Sequence, residues 1–235
     1  MESTVIILCG GLGTRLREVV SDRPKAMALI NDRPFLDYQI AWLKSKGISE
    51  IILAVGFKSD QIVDYFGDGK SYGVNIKYSY EDSPLGTGGA ILSAMETHKL
   101  GHCVVVNGDS FLDIDLESLE KLYLGQNANL CMTCHFVDKA DRYGVVEFDQ
   151  HNRLLGFSEK KILDSPAWIN SGIYMLNRSI FDGFDPNSQF SFETDVLNKS
   201  SQQSYYVFKC WDKSFIDIGT PESFQAAADF FTFRD

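Results

Sequence analysis

Residues 8–17 read Leu-Cys-Gly-Gly-Leu-Gly-Thr-Arg-Leu-Arg. Glycines in a turn after a strand let backbone N–H groups come close to phosphate oxygens. Arg15 adds a planar fork matched to phosphate. Lys25, in Arg23-Pro24-Lys25, adds a point charge a few residues on. The segment is not the dinucleotide fingerprint, because no glycine stands three residues after Gly13, and no Gly-Lys-Ser/Thr follows to make a P-loop. Taken alone it is either a phosphate cradle or a tight turn with two surface cations.

Two acidic residues stand at strand ends: Asp109 in Asn107-Gly108-Asp109, and Asp217 in Phe215-Ile216-Asp217-Ile218-Gly219-Thr220-Pro221. A carboxylate among apolar strand residues needs a partner or a metal. Mg²⁺ takes one or two carboxylates and fills its octahedron with phosphates and water. Turn and capping chemistry explains an Asp at these positions equally well. Gly86-Thr87-Gly88-Gly89-Ala90 opens a helix, where small residues make a wall for a flat base and the helix N-terminus favours anionic oxygens. A plain helix start is the alternative. Glu81 lies just before this segment, and its carboxylate suits the N1–H and exocyclic amine of guanine; an exposed acid is the other reading. Glu159, Lys160 and Asn170 have the chemistry to read sugar hydroxyls and a sugar phosphate, although Glu-Lys pairs are usually solvated surface.

Alternating elements must position these groups. Residues 4–9 are a continuous apolar run, as in a strand covered on both faces. Leu36, Ile40 and Leu43 have helical spacing over residues 35–46, and Gly47 stands where a C-terminal cap belongs. Residues 50–55 form a second buried strand, and Ser59 caps a short helix carrying Ile62, Val63 and Phe66. Val74, Ile76, Tyr78 and Tyr80 alternate with polar residues, the pattern of a strand near an edge. A helix over 88–95 and an apolar strand over 102–107 follow. Strand and helix in alternation imply an α/β fold with a doubly wound, mostly parallel, Rossmann-like sheet, whose ligands bind beyond the strands' carboxyl ends. The glycine turn and Asp109 both lie at such ends.

The second half is less regular and reads as a smaller sugar-binding lobe. Residues 144–149 and 153–159 pair as a hairpin, and Gly172 lies inside a strand over 169–176, where glycine allows close approach. Residues 215–218 form a last strand before a helix begun by Pro221. The expected organisation is one domain: a nucleotide-binding half over 1–110, a sugar-phosphate half over 111–220, and a C-terminal helix over 221–235. The aromatic end (Phe230, Phe231, Phe233) packs either on the core or on a second subunit, as in a homo-oligomer.

Composition narrows the classes. The 235 residues are 44% hydrophobic and 23% charged, so a sizeable core is available. A net charge of −10 is wrong for nucleic acid or an anionic membrane. Five cysteines, an odd number, argue against a disulfide framework, and the Cys131–Cys134 pair lacks the second ligand pair of a zinc site. No basic leader precedes the first strand and no apolar run approaches the roughly 20 residues of a membrane span, so the expectation is a soluble cytoplasmic protein.

Together, CGGLGTRLR, RPKAM, PLGTGGA, NGD, Tyr143-Gly144, Glu159-Lys160, NSGIY and FIDIGTP resemble the sugar-nucleotide pyrophosphorylase family over nearly the whole chain. Cys9 stands where that family often has alanine. The resemblance implies a Mg²⁺-dependent transfer between a nucleoside triphosphate and a sugar 1-phosphate. By it, Leu8, Gly10, Gly11, Gly13, Thr14, Glu81, Gly86, Thr87, Gly88, Asn107 and Gly108 hold the nucleotide. Arg15 contacts the β- and γ-phosphates, and Lys25 sits near the reacting phosphates. Asp109 and Asp217 ligate Mg²⁺. Tyr143, Gly144, Glu159, Asn170 and Gly172 contact the sugar, and Lys160 its phosphate. Within the family the chain is most similar to members that use GTP and a heptose 1-phosphate in surface-glycan synthesis. Mannose 1-phosphate guanylyltransferases are the nearest competitors, followed by uridylyl or thymidylyl transfer to a hexose 1-phosphate.

Overall fold

The computed structural model describes residues 3–11, 13, 16, 19–158, 165–198, 204–211 and 215–232. In chain order the first elements are β1 (Val5–Leu8), β2 (Leu29–Ile30), β3 (Arg33–Pro34), α1 (Phe35–Ser45), β4 (Glu50–Val55), α2 (Ser59–Phe66), β5 (Asn75–Tyr80) and α3 (Gly86–Thr97). There follow β6 (His102–Asn107), β7 (Ser110–Leu112), α4 (Leu116–Gly125), β8 (Leu130–Val137), β9 (Val145–Phe148) and β10 (Leu154–Ser158). The last are β11 (Ala167–Asn177), β12 (Tyr205–Cys210), β13 (Phe215–Asp217) and α5 (Pro221–Thr232).

The chain divides into two compact units that do not follow the halves of the sequence. Unit one comprises Met1–Pro84, Val106–Asp113 and Ser214–Asp235; unit two comprises Leu85–Val105 and Ile114–Lys213. In unit one, β1 runs parallel to β4 and β4 parallel to β5, with the end of β6 on the other side of β1. This is the expected doubly wound pattern, and β5 is the edge strand its alternation implied. Val5, Ile6, Ile7, Leu53 and Val55 are fully buried, as in strands covered on both faces. A short antiparallel pair, β7 with β13, brings the C-terminal segment back beside the end of β6. α5 then lays Phe231 flat on Tyr38, ring centroids 4.1 Å apart, and edge-on to Phe35 and Phe111. The aromatic terminus therefore packs on its own core; Phe233 lies outside the described residues.

Unit two is mainly antiparallel. β8 pairs antiparallel with β11 and parallel with β12; β11 touches β9 through Ile169 and Val145, and β9 forms the expected hairpin with β10. The turn of that hairpin is held by Asp149, whose carboxylate accepts from the backbone N–H groups of His151 and Arg153. One local expectation fails. Ser59 does not cap α2: the cap position is Lys58, in the left-handed conformation at φ 52°, and no side chain caps the helix. The chain leaves Gly56 too tightly for an extended cap, with Ser59 N–H donating to the Gly56 carbonyl.

Candidate functional site

In unit one the glycine turn, the paired strands β7 and β13 with their two acids, and the end of β5 meet. β1 ends at Leu8, whose carbonyl accepts from Gly108 N–H at 3.1 Å. Any Cβ on Gly108 would drive into that carbonyl, so only glycine lets Asp109 follow β6 so closely against β1. Gly10 is constrained from the other side: a Cβ there would collide with the Glu81 carboxylate. Glu81 is fixed at the end of β5 by its N–H, which donates to the Val55 carbonyl. The acid expected to read the base thus stands against Gly10 of the turn. Gly13 takes the left-handed conformation (φ 57°) and packs on the stem of Lys25, while Gly11 is open to solvent.

Lys25 follows Pro24 into a short 3₁₀ turn, which aims its ammonium at Asp109. Its Nζ lies 2.7 Å from Asp109 Oδ2, the lysine mostly buried and the aspartate 44% exposed. The pairing of β13 with β7 places Asp217 opposite Ser110, and Ile218 N–H donates to the Asp109 carbonyl. Asp217 Oδ1 accepts from Gly219 N–H at 2.8 Å and from Ser223 Oγ at 3.4 Å. A Cβ on Gly219 would stand 2.7 Å from Asp217 Oδ1 and 3.6 Å from Lys25 Nζ, so the ammonium and both acids share one small space. The donors are hard carboxylate oxygens. Among the described residues no cluster reaches three His, Cys, Asp or Glu side chains, so other ligands must complete any cation shell here. Two carboxylates with phosphate and water are what Mg²⁺ uses. Asn107 adds a buried amide oxygen that has no hydrogen-bond partner among the described residues. Cys9 Sγ lies beside Gly108, and burial, then the Asp109 charge, push its thiol far up, which leaves it a neutral apolar filler.

In unit two, α3 begins with the expected small residues, but a distant segment of the same unit uses them. Gly88 N–H donates to the Phe190 carbonyl at 3.1 Å, and the Phe190 ring and backbone fill the space a Cβ on Gly86 or Gly88 would need. Thr87 Oγ1 donates to Glu193 at 2.5 Å and accepts from Phe192 N–H at 2.9 Å. Gly86 and Gly88 therefore have a packing role, and the Thr87 hydroxyl is engaged within the unit. Gly144 and Asn170 are brought together, the Asn170 N–H donating to the Gly144 carbonyl at 2.9 Å, with Phe157 packed where a Cβ of Gly144 would stand. Gly172, at φ 81°, forms a bulge in β11, and Asn170 holds it: Oδ1 accepts from Gly172 N–H and Nδ2 donates to the Tyr174 hydroxyl. Among the described residues, one Nδ2 hydrogen and one Oδ1 lone pair of Asn170 have no further partner. The Tyr143 ring lies under the Arg142 guanidinium. Thr14, Arg15, Glu159 and Lys160 lie outside the described residues.

Two supporting residues escape a reading by motif. Gln39 is buried, and its Nε2 donates at 2.8 Å to the carbonyls of both Asn107 and Ser110, bracing the turn that carries Asp109. Its only signal is a polar residue on the apolar stripe of α1. Ser223, on α5, steadies Asp217 and leaves no trace in motif or period.

Residues 4–233 match the model of the Nucleotidyl transferase family. The chain is 43% identical over 223 residues to a D-glycero-alpha-D-manno-heptose 1-phosphate guanylyltransferase of Campylobacter jejuni, covering 93% of this chain and 96% of that one. It is 39% identical to the enzyme of that name from Aneurinibacillus thermoaerophilus, covering 94% and 95%. Its fold matches a crystal structure of HddC from Yersinia pseudotuberculosis complexed with GMP-PN, with TM-score 0.86, 34% identity, and coverage of 97% and 99%. A matching family model over nearly the full length, together with the two acids of the β7–β13 pair beside the glycine turn, makes this chain a member of the Nucleotidyl transferase family.

Proposed function

We propose that this chain transfers the guanylyl group of GTP to D-glycero-D-manno-heptose 1-phosphate, giving GDP-heptose and pyrophosphate for surface-glycan synthesis. The observation that carries the reading is the antiparallel pair of β7 and β13, with Asp217 opposite Ser110, Asp109 beside it and Lys25 Nζ 2.7 Å from Asp109. The names of the two relatives support the heptose and the guanine.

A sugar phosphate is already an anion at neutral pH, so its oxygen attacks the α-phosphorus without a strong base. The P–O bond to the β-phosphate breaks and pyrophosphate leaves. The obstacle is the approach of two anions, and the chain's work is to neutralise and align them. Lys25 supplies a partly buried cation beside the reacting phosphates, and Arg15 and Lys160 supply the others. Gly10, Gly11 and Gly13 offer backbone N–H groups to the triphosphate. Glu81, standing over Gly10, accepts from guanine N1–H and the exocyclic amine. Gly144 and Asn170 orient the sugar. Asp109 and Asp217 would hold Mg²⁺, which supplies charge stabilisation on the phosphate oxygens when bound. No helix among the described residues is long and apolar enough to cross a membrane, and a chain that consumes GTP belongs in the cytoplasm.

Pyrophosphate release across GTP, ATP, UTP and dTTP, each with heptose, mannose and glucose 1-phosphates, tests the reading. The expected result is highest kcat/KM for GTP with the heptose. Preference for UTP or dTTP with a hexose phosphate would overturn it.

A further inference from the structure

One face of unit two carries a cluster of aromatic rings that the fold does not fully cover. Trp168 on β11 pairs across the sheet with Phe136 on β8, and Trp211 directly follows β12. The Trp168 ring centroid lies 5.5 Å from Phe136, 5.6 Å from Phe148 and 4.3 Å from Trp211. Trp211 is 58% exposed, and the other three rings are half-buried. Lys209, at the rim, holds its ammonium 5.5 Å over the Phe148 ring. Unlike the buried rings around Tyr174 and Phe192, these leave apolar faces in reach of solvent.

Register fixes what this cluster stands next to. Strand side chains alternate with period two, so Trp168 and Asn170 share a face of β11, about 7 Å apart. Across the sheet Asn170 is opposite Cys134, and Cys134 is opposite Lys209. A row with polar ends (Asn170, Lys209) and the buried Cys134 between them is therefore flanked by an aromatic row (Trp168, Phe136, Trp211). An apolar wall with a few polar groups beside it is the make-up of a small-ligand site. The negative face of an aromatic ring attracts the weakly positive C–H bonds of a sugar, while the sugar's hydroxyls keep their hydrogen bonds to polar neighbours and water.

We propose that Trp168, backed by Phe136, Phe148 and Trp211, forms the wall against which the exocyclic carbons of the sugar substrate lie, and so sets the preference for a seven-carbon over a six-carbon sugar phosphate. The inference rests on Asn170 contacting the sugar in the reading above. A pyranose ring bound at Asn170 is about 5 Å across, so its exocyclic arm spans the step to Trp168. A heptose carries one hydroxylated carbon more than mannose, and one extra carbon in an apolar contact changes kcat/KM by roughly 10- to 200-fold.

The test uses the full-length enzyme and the variants Trp168→Ala, Trp168→Phe and Trp211→Ala. Trp168→Ala is expected to raise KM for the heptose 1-phosphate about tenfold, to leave KM for GTP within about twofold, and to cut the heptose-over-mannose preference about tenfold. Trp168→Phe, which keeps a ring, should recover most of the loss. Trp211→Ala, at an exposed position, gives a folded variant with a smaller effect in the same direction. A second readout needs no turnover. The chain has three tryptophans, and the third, Trp42, is buried in unit one. Heptose 1-phosphate added alone should shift the tryptophan emission of the wild type, and the Trp168→Phe, Trp211→Phe double variant should lose that shift. Unchanged heptose KM and preference in folded Trp168→Ala, or a KM rise equal for heptose and mannose, overturns the wall. If the wild type itself fails to use the heptose phosphate, the functional reading falls first and the wall with it.

Discussion

Gly10→Ala isolates the role of Glu81 without touching the acid. The new methyl would overlap the Glu81 carboxylate and stand 3.4 Å from the Gly56 nitrogen. The backbone contact is tolerable, and the atom that must yield is the end of a flexible side chain. Stability should therefore change by less than about 1 kcal/mol. The carboxylate, however, is displaced from over the turn. If it accepts two hydrogen bonds from guanine, with bonds to a charged group worth about 1.5–3 kcal/mol each and partial retention after the shift, KM for GTP should rise about 10- to 100-fold. Glu81→Gln replaces an acceptor by a donor facing the guanine N–H groups and should cost a similar factor, with little change for ATP or UTP. The two changes remove one interaction, so the double variant should be scarcely worse than either single one. Steady-state pyrophosphate release with each nucleotide, for the four members of the cycle, gives the coupling. Effects that simply multiply, or that fall equally on all nucleotides, would refute Glu81 as the base reader.

Gly108→Ala meets a different neighbour. Its methyl would drive into the Leu8 carbonyl, which is backbone and cannot rotate away, so thermal unfolding should show a loss of about 1–3 kcal/mol together with a fall in turnover as Asp109 shifts; an unchanged Tm would mean the β1–β6 approach is looser than described. His135 provides a pH test. Burial, opposed by its hydrogen bond to the Cys210 carbonyl, holds the imidazole below its ordinary value of 6.5. The unfolded chain then binds a proton that the native one does not, so stability falls as pH drops below about 6.5 and levels off below the depressed native pKa. His135→Gln should flatten that limb in Tm measured against pH, whereas an identical acid limb would assign it to other groups.

Much of the fold was readable because its signals are local. Apolar runs marked β1, β4 and β6, and alternation in β5 marked an edge, since each depends only on which faces are covered. Gly47 and Pro221 mark backbone conformations that their own chemistry dictates. What depended on distant partners was less legible. The small residues opening α3 are equally suited to a base and to a packed ring, and only a segment about a hundred residues on settles their packing: Thr87 bonds Glu193 across 106 positions. The NGD and FIDIGTP motifs named both acids, yet nothing local says that β13 returns to pair with β7, and Asp217 therefore joins unit one. Gln39 and Ser223 brace the two acids through side-chain bonds that no period or motif encodes.

The joint hold of Asp109 and Asp217 on one divalent cation is tested most directly by Mn²⁺ binding, followed by electron paramagnetic resonance in the presence of GTP, for the wild type and for Asp109→Asn and Asp217→Asn. One bound Mn²⁺ is expected in the wild type, with at least tenfold weaker binding in either variant and turnover lower by about 10²–10³-fold with folding retained. A folded Asp217→Asn enzyme that binds Mn²⁺ and turns over like the wild type would contradict it.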